Sequence, residues 1–277
     1  MSKLTILDEL LAHKHEEVCR KRAHRPVGTL EAEGRLRRPP LSLAGVLARP
    51  GVSLIAEVKR FSLAKQAYAA EFDAGRLARL YADHGAAAVS VIADERFFGG
   101  GADIVGEVAA AVGGAIPVIY KDFVVDPYQV AEAYAVGADA VLIIARAADA
   151  VALGESVART HALGMDCVVE IFTPQDADLA LAAGARIIGI NNRDLVTSRI
   201  DIERSARIRA GLPPDVLSIS ESGLRSGDDV RRAGLLGFDA VLIGEAILTA
   251  DDVPGAVREL SRAGDGVRVS KGASCPS

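Results

Sequence analysis

Short apolar stretches recur along the chain from about residue 52 onward, and stretches with the periodicity of amphipathic helices separate them. Most of these apolar stretches are nearly continuous in Val, Ile and Leu. This pattern is typical of parallel strands that are buried on both faces. Strands that alternate with helices predict βαβ units. We predict eight strands, at residues 52–59, 87–94, 117–123, 140–146, 166–171, 187–192, 216–222 and 240–245.

A short motif precedes every second predicted strand. In each copy a glycine is followed by a small or apolar residue and then by the strand, and the copies lie about 50 residues apart. A glycine at this point suits a left-handed helix C-cap. One further strand lies between successive copies, so four double βα units predict a (β/α)8 TIM barrel. The four glycines are Gly85, Gly137, Gly184 and Gly237.

A doubly wound open sheet is the competing architecture for the same alternation of strands and helices. It is less favoured because no G-x-G-x-x-G motif follows the first predicted strand. The residues before that strand predict a helical extension, with one helical face marked by Leu4, Leu7, Leu11 and Val18. After a break at Pro39-Pro40, a second helix is predicted to begin at Ser42. We therefore predict a helical extension at 1–51, a catalytic barrel at 52–263 and a disordered tail at 264–277.

Composition excludes several other classes of protein. The chain has 277 residues, of which 50% are hydrophobic and 25% charged, and a net charge of -5, so it is not intrinsically disordered. No window of about 18 apolar residues predicts a membrane span. A pI near 5.6 argues against a nucleic-acid-binding surface.

Cysteine content and the N-terminus bear on the cellular setting. Cys19, Cys167 and Cys275 are odd in number and far apart, which argues against a disulfide framework and against a zinc site. The first residues lack the apolar core and cleavage site of a signal peptide. These features predict a cytoplasmic protein.

Polar residues stand where several predicted strands end, which is where a barrel of this kind builds its active site. Glu57 and Lys59 end the first strand, Lys121 the third, Glu170 the fifth and Asn191 the sixth. Two lysines and two glutamates that meet in one barrel mouth must pair if they are buried. Such a set suits acid–base chemistry on a carbonyl compound. No histidine lies at a strand end, so we predict no metal.

Glycines at the last two strand ends indicate the ligand. Gly223 and Gly244 each open a turn toward a helix, and backbone N–H groups at such turns form the usual phosphate site of these barrels. The pattern therefore predicts a phosphorylated small-molecule substrate.

Seven short sequence motifs are similar to those of a known protein family. They occur in the family's order and extend from about residue 52 to about residue 250, after an N-terminal helical extension that also matches. The chain resembles the indole-3-glycerol phosphate synthase family. The motifs are AEVKR at 56–60, FFGG at 97–100, KDFVVDPYQV at 121–130, GADAVLII at 137–144, GINNRDL at 189–195, SESG at 220–223 and VLIGE at 241–245.

The resemblance implies an activity and roles for individual residues. The family closes the indole ring of 1-(2-carboxyphenylamino)-1-deoxyribulose 5-phosphate in tryptophan biosynthesis, with loss of CO2 and water and without a cofactor. Lys121 matches its general acid and Glu170 the base assigned to dehydration. Lys59 matches a second lysine that contacts the substrate, and the division of the acid role between the two lysines stays open.

The remaining matched positions hold the substrate. Glu57 and Asn191 match residues that orient the lysines and the substrate. Glu245 matches a phosphate-site position that contributes its backbone N–H, beside Gly223 and Gly244. The substrate-binding positions implied by the resemblance are Ser62, Phe97, Phe98, Phe123, Arg193 and Ser222.

The loop after the first strand departs from the family's K-x-S-P-S-K-G pattern. Ser62 and Lys65 match, whereas Leu63, Ala64 and Gln66 replace a Pro, a Ser and a Gly, so we expect altered loop stiffness. Two alternative functions stay open: a phosphoribosylanthranilate isomerase-like barrel and a catalytically weakened binding or regulatory paralogue. The isomerase pattern has a Cys at the end of the first strand and an Asp at the end of the sixth, where this chain has Glu57 and Lys59, and Asn191. We expect a monomer.

Overall fold

The strands close into a barrel. A computed structural model describes residues 6–61, 67–68, 72–194 and 199–267. In this part of the chain eight parallel strands follow one another in sequence order, and the last pairs with the first. The predicted (β/α)8 TIM barrel and all eight predicted strands are thereby confirmed. The strands are β1 Ser53–Val58, β2 Ala88–Ile92, β3 Val118–Lys121, β4 Ala140–Ile144, β5 Asp166–Ile171, β6 Ile187–Asn191, β7 Leu217–Glu221 and β8 Ala240–Ile243.

Helices surround the barrel, and three of those described precede β1. None of the described helices combines the length and the apolar character that crossing a membrane requires. The helices are α1 Ile6–His24, α2 Val27–Arg35, α3 Leu43–Leu47, α4 Ala74–Asp83, α5 Glu95–Phe98, α6 Ala102–Val112, α7 Pro127–Val136, α8 Ala150–Ala162, α9 Pro174–Ala182, α10 Ile202–Ala210, α11 Gly227–Leu235, α12 Glu245–Leu248 and α13 Val253–Ala263.

Local chemistry explains where these helices start and stop. Several begin at an aspartate whose carboxylate accepts a hydrogen bond from a free N–H of the first turn, as Asp73 does for α4 and Asp149 for α8. The four glycines of the repeated motif have φ between 83° and 103°, so the predicted left-handed turns into β2, β4, β6 and β8 are confirmed.

Two apolar cores share the barrel wall. The larger lies between the outer face of the sheet and the surrounding helices. The smaller fills the barrel interior, where side chains such as Ile55, Ile119 and Ile219 meet. Leu43 and Leu47 of α3 belong to this inner core and are fully buried. The third helix therefore closes the end of the barrel at which the strands begin.

The N-terminal segment runs along the barrel from one end to the other. Lys14 of α1 lies near the ends of β2 and β3, as described below. Beyond α2, the Arg38 guanidinium binds both carboxylate oxygens of Asp139, just before β4, at 2.7 and 2.9 Å. The same carboxylate accepts hydrogen bonds from the N–H groups of Leu41 and Val118. Asp139 thus joins the segment to two strand starts.

The sequence patterns describe this segment only in part. Ser42 caps α3 as predicted, because its hydroxyl accepts a hydrogen bond from the N–H of Gly45. In the predicted face of α1, Val18 is buried and Leu11 half-buried, and the side chains at positions 4 and 7 lie outside the described residues. Helix α2 was not predicted, because its two glycines weaken the helical pattern.

Helix α2 packs against α7 through one of those glycines. A Cβ added to Gly34 would lie 2.2 Å from the ring of Tyr134, so the two helices approach more closely than a larger residue allows. At the other end of α2, Gly28 has open space around it. Tertiary packing, rather than helix propensity, therefore explains why position 34 carries a glycine.

We expect Gly34→Ala to destabilise the protein by about 1–3 kcal/mol, because the added methyl group forces the Tyr134 ring to move. Gly28→Ala on the same helix is the control, and it should stabilise by up to about 1 kcal/mol through helix propensity. Urea unfolding of both variants measures these changes. A Gly34→Ala variant as stable as Gly28→Ala would contradict this account of the packing.

Candidate active site

A cavity of about 390 Å³ opens at the end of the barrel where the strands terminate. Its floor is charged, and parts of its wall are aromatic or apolar. The residues that line it are Glu57, Lys59, Tyr68, Ile92, Phe98, Lys121, Phe123, Ile144, Glu170, Asn191, Arg193, Ile200, Glu221, Ser222, Gly223, Leu224, Arg225, Leu242, Ile243, Gly244 and Glu245.

The ends of three strands, β3, β5 and β6, build one polar chain across the floor. The Lys121 ammonium on β3 lies 3.3 Å from Glu170 Oε2 on β5. The other Glu170 oxygen accepts a hydrogen bond of 3.1 Å from the side-chain amide of Asn191 on β6. The side-chain oxygen of Asn191, Oδ1, in turn accepts a hydrogen bond of 2.9 Å from the backbone N–H of Arg193. Glu170, only 2% exposed, is thus held at both oxygens.

A second ion pair lies on β1. The Lys59 ammonium donates to Glu57 Oε1 at 2.6 Å. Burial raises the pKa of Glu57, but the ammonium groups of Lys59 and Lys121 oppose it and hold that pKa below its ordinary value. Burial lowers the pKa of Lys59, and the Glu57 carboxylate reverses this and raises it. Both members of the pair are therefore charged.

Lys121 experiences the same competition. Burial alone would lower its pKa, but the carboxyl groups of Glu170, Glu221 and Glu57 outweigh burial and raise it above the ordinary lysine value. Lys121 consequently carries a proton at neutral pH. It is a proton donor held among acceptors at the bottom of a partly apolar cavity.

Two stacked rings form part of the cavity wall. The centroids of Phe98 and Phe123 are 6.5 Å apart, with 27° between the ring planes. Phe97 does not line the cavity, and its ring meets His13 of α1 edge-on at 6.2 Å. Of the three phenylalanines predicted from the sequence, the structure therefore brings two together at the cavity.

Two glycine-containing turns follow the ends of β7 and β8. Ser222 and Gly223 have φ of 70° and 80°, and this left-handed conformation is uncommon for a residue with a side chain. The Ser222 carbonyl is held by the side-chain amide of Asn192 at 2.7 Å. A Cβ on Gly244 would lie 2.6 Å from Glu57 Oε1, so a larger residue at this position would require the Glu57 side chain to move. Such turns can bind an anion.

Two arginines flank these turns. Arg193 Nη2 lies 3.9 Å from one carboxylate oxygen of Glu245, and Arg225 Nη2 lies 3.5 Å from the other. The sequence patterns did not predict Arg225, which follows β7 and is more than two-thirds exposed. Within the described residues, no group of three or more His, Cys, Asp or Glu side chains is arranged to hold a metal ion.

Comparison with known proteins identifies the family. The family model described as indole-3-glycerol phosphate synthase matches residues 7–260. The chain belongs to the indole-3-glycerol phosphate synthase family. It is 43% identical over 264 residues to the protein named indole-3-glycerol phosphate synthase in Mycobacterium tuberculosis (strain H37Rv), and equally to that of Mycobacterium avium (strain 104). Each alignment covers 95% of this chain and 96% of the relative.

Solved structures of other proteins share the barrel. Thiamine phosphate pyrophosphorylase from Pyrococcus furiosus aligns with a TM-score of 0.61 and 18% identity, over 82% of this chain and 99% of that one. 3-Hexulose-6-phosphate synthase from Salmonella typhimurium aligns with a TM-score of 0.63 and 18% identity, over 76% and 98%. At this identity the likeness concerns the fold alone.

Part of the family's loop pattern lies outside the described residues. This applies to Ser62, predicted to bind substrate, and to the departures at 63, 64 and 66. Beside this loop, Tyr68 lines the cavity, and the Lys59 ammonium lies 5.4 Å from the centre of its ring. The expectation of altered loop stiffness stays a prediction.

Glu221 is a cavity residue that the site predicted from the sequence did not include. It ends β7, is 1% exposed, and within the described part of the chain its Oε1 has no hydrogen-bond partner. Burial raises its pKa well above the ordinary value, and the neighbouring Glu170 carboxylate adds to this although Lys121 opposes it. A protonated Glu221 leaves two ammonium groups facing two carboxylates on the floor.

We expect Glu221→Gln to change the pH dependence of stability, because glutamine mimics the protonated acid. The wild-type protein has the full stabilisation from a neutral Glu221 at pH values below the pKa of glutamate in the unfolded chain, about 4.3. It loses this stabilisation as the pH rises through the raised pKa of Glu221 in the folded protein. The free energy of unfolding of the variant minus that of wild type should therefore become more positive above about pH 4.5.

Urea unfolding at several pH values measures this difference. Glu155→Gln on the exposed side of α8 is the control for the removal of one negative charge. A Glu221→Gln difference that stays flat across the pH range would show that the wild-type carboxyl is not kept protonated by the fold.

Proposed function

We propose that the protein is an indole-3-glycerol phosphate synthase, which closes the indole ring of 1-(2-carboxyphenylamino)-1-deoxyribulose 5-phosphate and releases CO2 and water. One observation supports this above the others: a charged lysine and a fully held carboxylate, Lys121 and Glu170, meet between an aromatic wall and an anion-binding turn. The cavity thus offers a place to each part of that substrate. Nothing in the site favours the isomerase or a non-catalytic paralogue.

Lys121 would act as the general acid of ring closure. As the aryl carbon attacks the ribulose carbonyl carbon, negative charge develops on the carbonyl oxygen, and a proton from the Lys121 ammonium neutralises it. Glu170 and Glu57 keep that ammonium charged before the reaction. The new carbon–carbon bond interrupts the aromatic ring, and departure of CO2 from the same carbon restores it.

Glu170 would act as the base of dehydration. The hydroxyl group left by ring closure departs as water, and a proton leaves the neighbouring ring carbon to complete the indole. Asn191 and Lys121 hold the two Glu170 oxygens by separate hydrogen bonds, so the carboxylate is oriented before the substrate arrives. Lys59 stands across the floor with its own counter-ion, and either lysine could protonate the leaving hydroxyl.

The two ends of the substrate would bind through different interactions, one apolar and one by hydrogen bonds. Phe98 and Phe123 offer flat apolar surface to the anthranilate ring. The N–H groups of the Ser222–Gly223 turn and of Gly244 and Glu245 offer donors to the phosphate, with Arg193 beside them. Because the phosphate competes for Arg193, its arrival would loosen the weak contact between this arginine and the Glu245 carboxylate.

Other features of the proposal follow from the sequence. We propose a cytoplasmic monomer that acts on a phosphorylated small molecule, binds no nucleic acid and uses no cofactor. The acidic pI supports the assignment that no nucleic acid is bound, and the pairs of acidic and basic side chains on the cavity floor support chemistry without a cofactor.

Lys121→Ala should lower the rate of ring closure by at least about 10²-fold, since general acid catalysis contributes about that much or more. Affinity for a phosphorylated anthranilate analogue should change by less than about tenfold, because the phosphate turn and the aromatic wall are untouched. Single-turnover indole fluorescence and titration with the analogue measure the two quantities. Retention of more than about a tenth of the wild-type rate would exclude Lys121 as the acid.

Glu170→Gln should lower turnover by about 10²-fold or more while the protein stays folded, because the amide cannot accept the proton of dehydration. An intermediate that has lost CO2 but still retains its hydroxyl group should accumulate. Quenched-flow sampling with mass detection can observe it, and circular dichroism checks the fold. Unimpaired turnover would refute the assignment of Glu170.

A further inference from the structure

A lysine of the N-terminal helix is buried beside the cavity although it does not line it. The Lys14 side chain of α1 is 1% exposed. Its ammonium lies 3.0 Å from Glu17 on the same helix, 3.2 Å from Asp94 at the end of β2 and 3.0 Å from Asp122 at the end of β3. One positive charge thus joins α1 to two neighbouring strand ends.

Asp94 connects this ammonium to the aromatic wall. Its Oδ1 caps α5 and accepts hydrogen bonds from the N–H groups of Phe97 and Phe98, at 2.7 and 3.2 Å. Its Oδ2 is the oxygen that faces Lys14. The position of the Phe98 ring therefore depends on a carboxylate whose other side is held by Lys14.

Asp122 makes the matching connection on the next strand. Asp122 directly follows Lys121. Its Oδ1 accepts a hydrogen bond of 2.8 Å from the backbone N–H of Phe123, and the Phe123 ring stacks on Phe98. The side-chain amide of Gln129 also donates to Asp122, at 3.3 Å. The backbone on both sides of this aspartate belongs to the active site, since Lys121 precedes it and the second ring of the wall follows it.

The charge balance of this cluster makes the lysine necessary. Glu17, Asp94 and Asp122 are all buried, and the Lys14 ammonium touches each of them, whereas Lys21 also pairs with Glu17, at 2.9 Å. Burial raises the pKa of Asp122 to about 6, and the Lys14 charge works against that rise. Without the ammonium, buried carboxylates would face one another with less compensation and would move apart or take up protons.

We propose that Lys14 is a positioning residue of the active site, which holds the aromatic wall through Asp94 and the backbone around Lys121 through Asp122. This assignment rests on the proposed function for its kinetic readout. Asp94 holds the backbone of Phe98, whose ring is proposed to bind the substrate, so loss of the Lys14–Asp94 contact should change KM. Asp122 adjoins Lys121, the proposed general acid, so loss of the Lys14–Asp122 contact should change kcat.

The test compares Lys14→Met, Asp94→Asn and Asp122→Asn, together with the doubles that combine Lys14→Met with each aspartate change. We expect Lys14→Met to raise KM and to lower kcat, each by about tenfold or more, since small misplacements of reacting groups have effects of this size. Asp94→Asn should reproduce mainly the change in KM, and Asp122→Asn mainly the change in kcat.

The doubles separate positioning from general damage. If Lys14 acts through these carboxylates, each double should be no worse in the corresponding parameter than its worse single variant. The doubles also relieve the charge imbalance that Lys14→Met creates, so they test the proposal even if that single variant folds poorly. Lys14→Arg, which keeps the charge, should recover part of the lost activity.

Arg22→Met is the matched control. Arg22 lies on the same helix, and the ion pair that it makes is with Asp126, the N-cap residue of α7, rather than with Asp94 or Asp122. It should lower stability slightly and leave KM and kcat within about twofold of wild type, as expected for an exposed ion pair. Equal kinetic loss in Arg22→Met would show that docking of α1, and not Lys14, carries the effect.

Amide hydrogen exchange gives a readout that needs no activity. Lys14→Met should speed exchange at the N–H groups of Phe97, Phe98 and Phe123 and leave those of β6 unchanged. Absence of indole product from the wild type would refute the proposed function and leave this readout intact. Unchanged exchange at the three amides, or effects that multiply independently in the doubles, would overturn the positioning role.

Discussion

Compensation of buried charge is the constraint on which the active site depends. Lys121, Lys59 and Glu57 are largely withdrawn from water at the strand ends, and burial shifts the pKa of each toward its neutral form. Pairing reverses this tendency, so both lysines hold protons that chemistry can use. The additional carboxyl group, Glu221, has no ammonium left to neutralise it and is driven toward its protonated form. The same balance thus selects which groups are donors and which are acceptors.

The N-terminal segment stabilises the barrel by opposite means at its two ends. Where the strands begin, Leu43 and Leu47 complete the apolar interior, and Arg38 binds Asp139 through two parallel hydrogen bonds. Where the strands end, Lys14 enters a cluster of carboxylates. An apolar plug tolerates small shifts, whereas a buried ion cluster requires close geometry. The end that carries the candidate active site is therefore the one held by the more demanding contacts.

Backbone conformation shapes the anion-binding end of the cavity. Two consecutive residues after β7 are left-handed, and the first of them, Ser222, is not a glycine. A hydrogen bond from Asn192 to the Ser222 carbonyl helps to hold this uncommon conformation. Gly244 suits its position for a different reason, because the Glu57 side chain lies in the space that a Cβ would take. The end of β8 and the charged floor of the cavity are consequently packed against each other.

The sequence by itself determined the barrel and most of its candidate site. Continuous apolar strands, repeated glycine caps and the rule that parallel strands end on one face suffice to bring Lys59, Lys121 and Glu170 together. Only the tertiary structure decided which side chains lose contact with water and what then faces them. In the folded structure Phe97 lies outside the cavity, and burial raises the pKa of Glu221. The fold also places Lys14 beside Asp94 and Asp122, which are far from it in the chain. Periodicity reports which face of an element is buried, but pairing and pKa depend on distances between elements, and those exist only after folding.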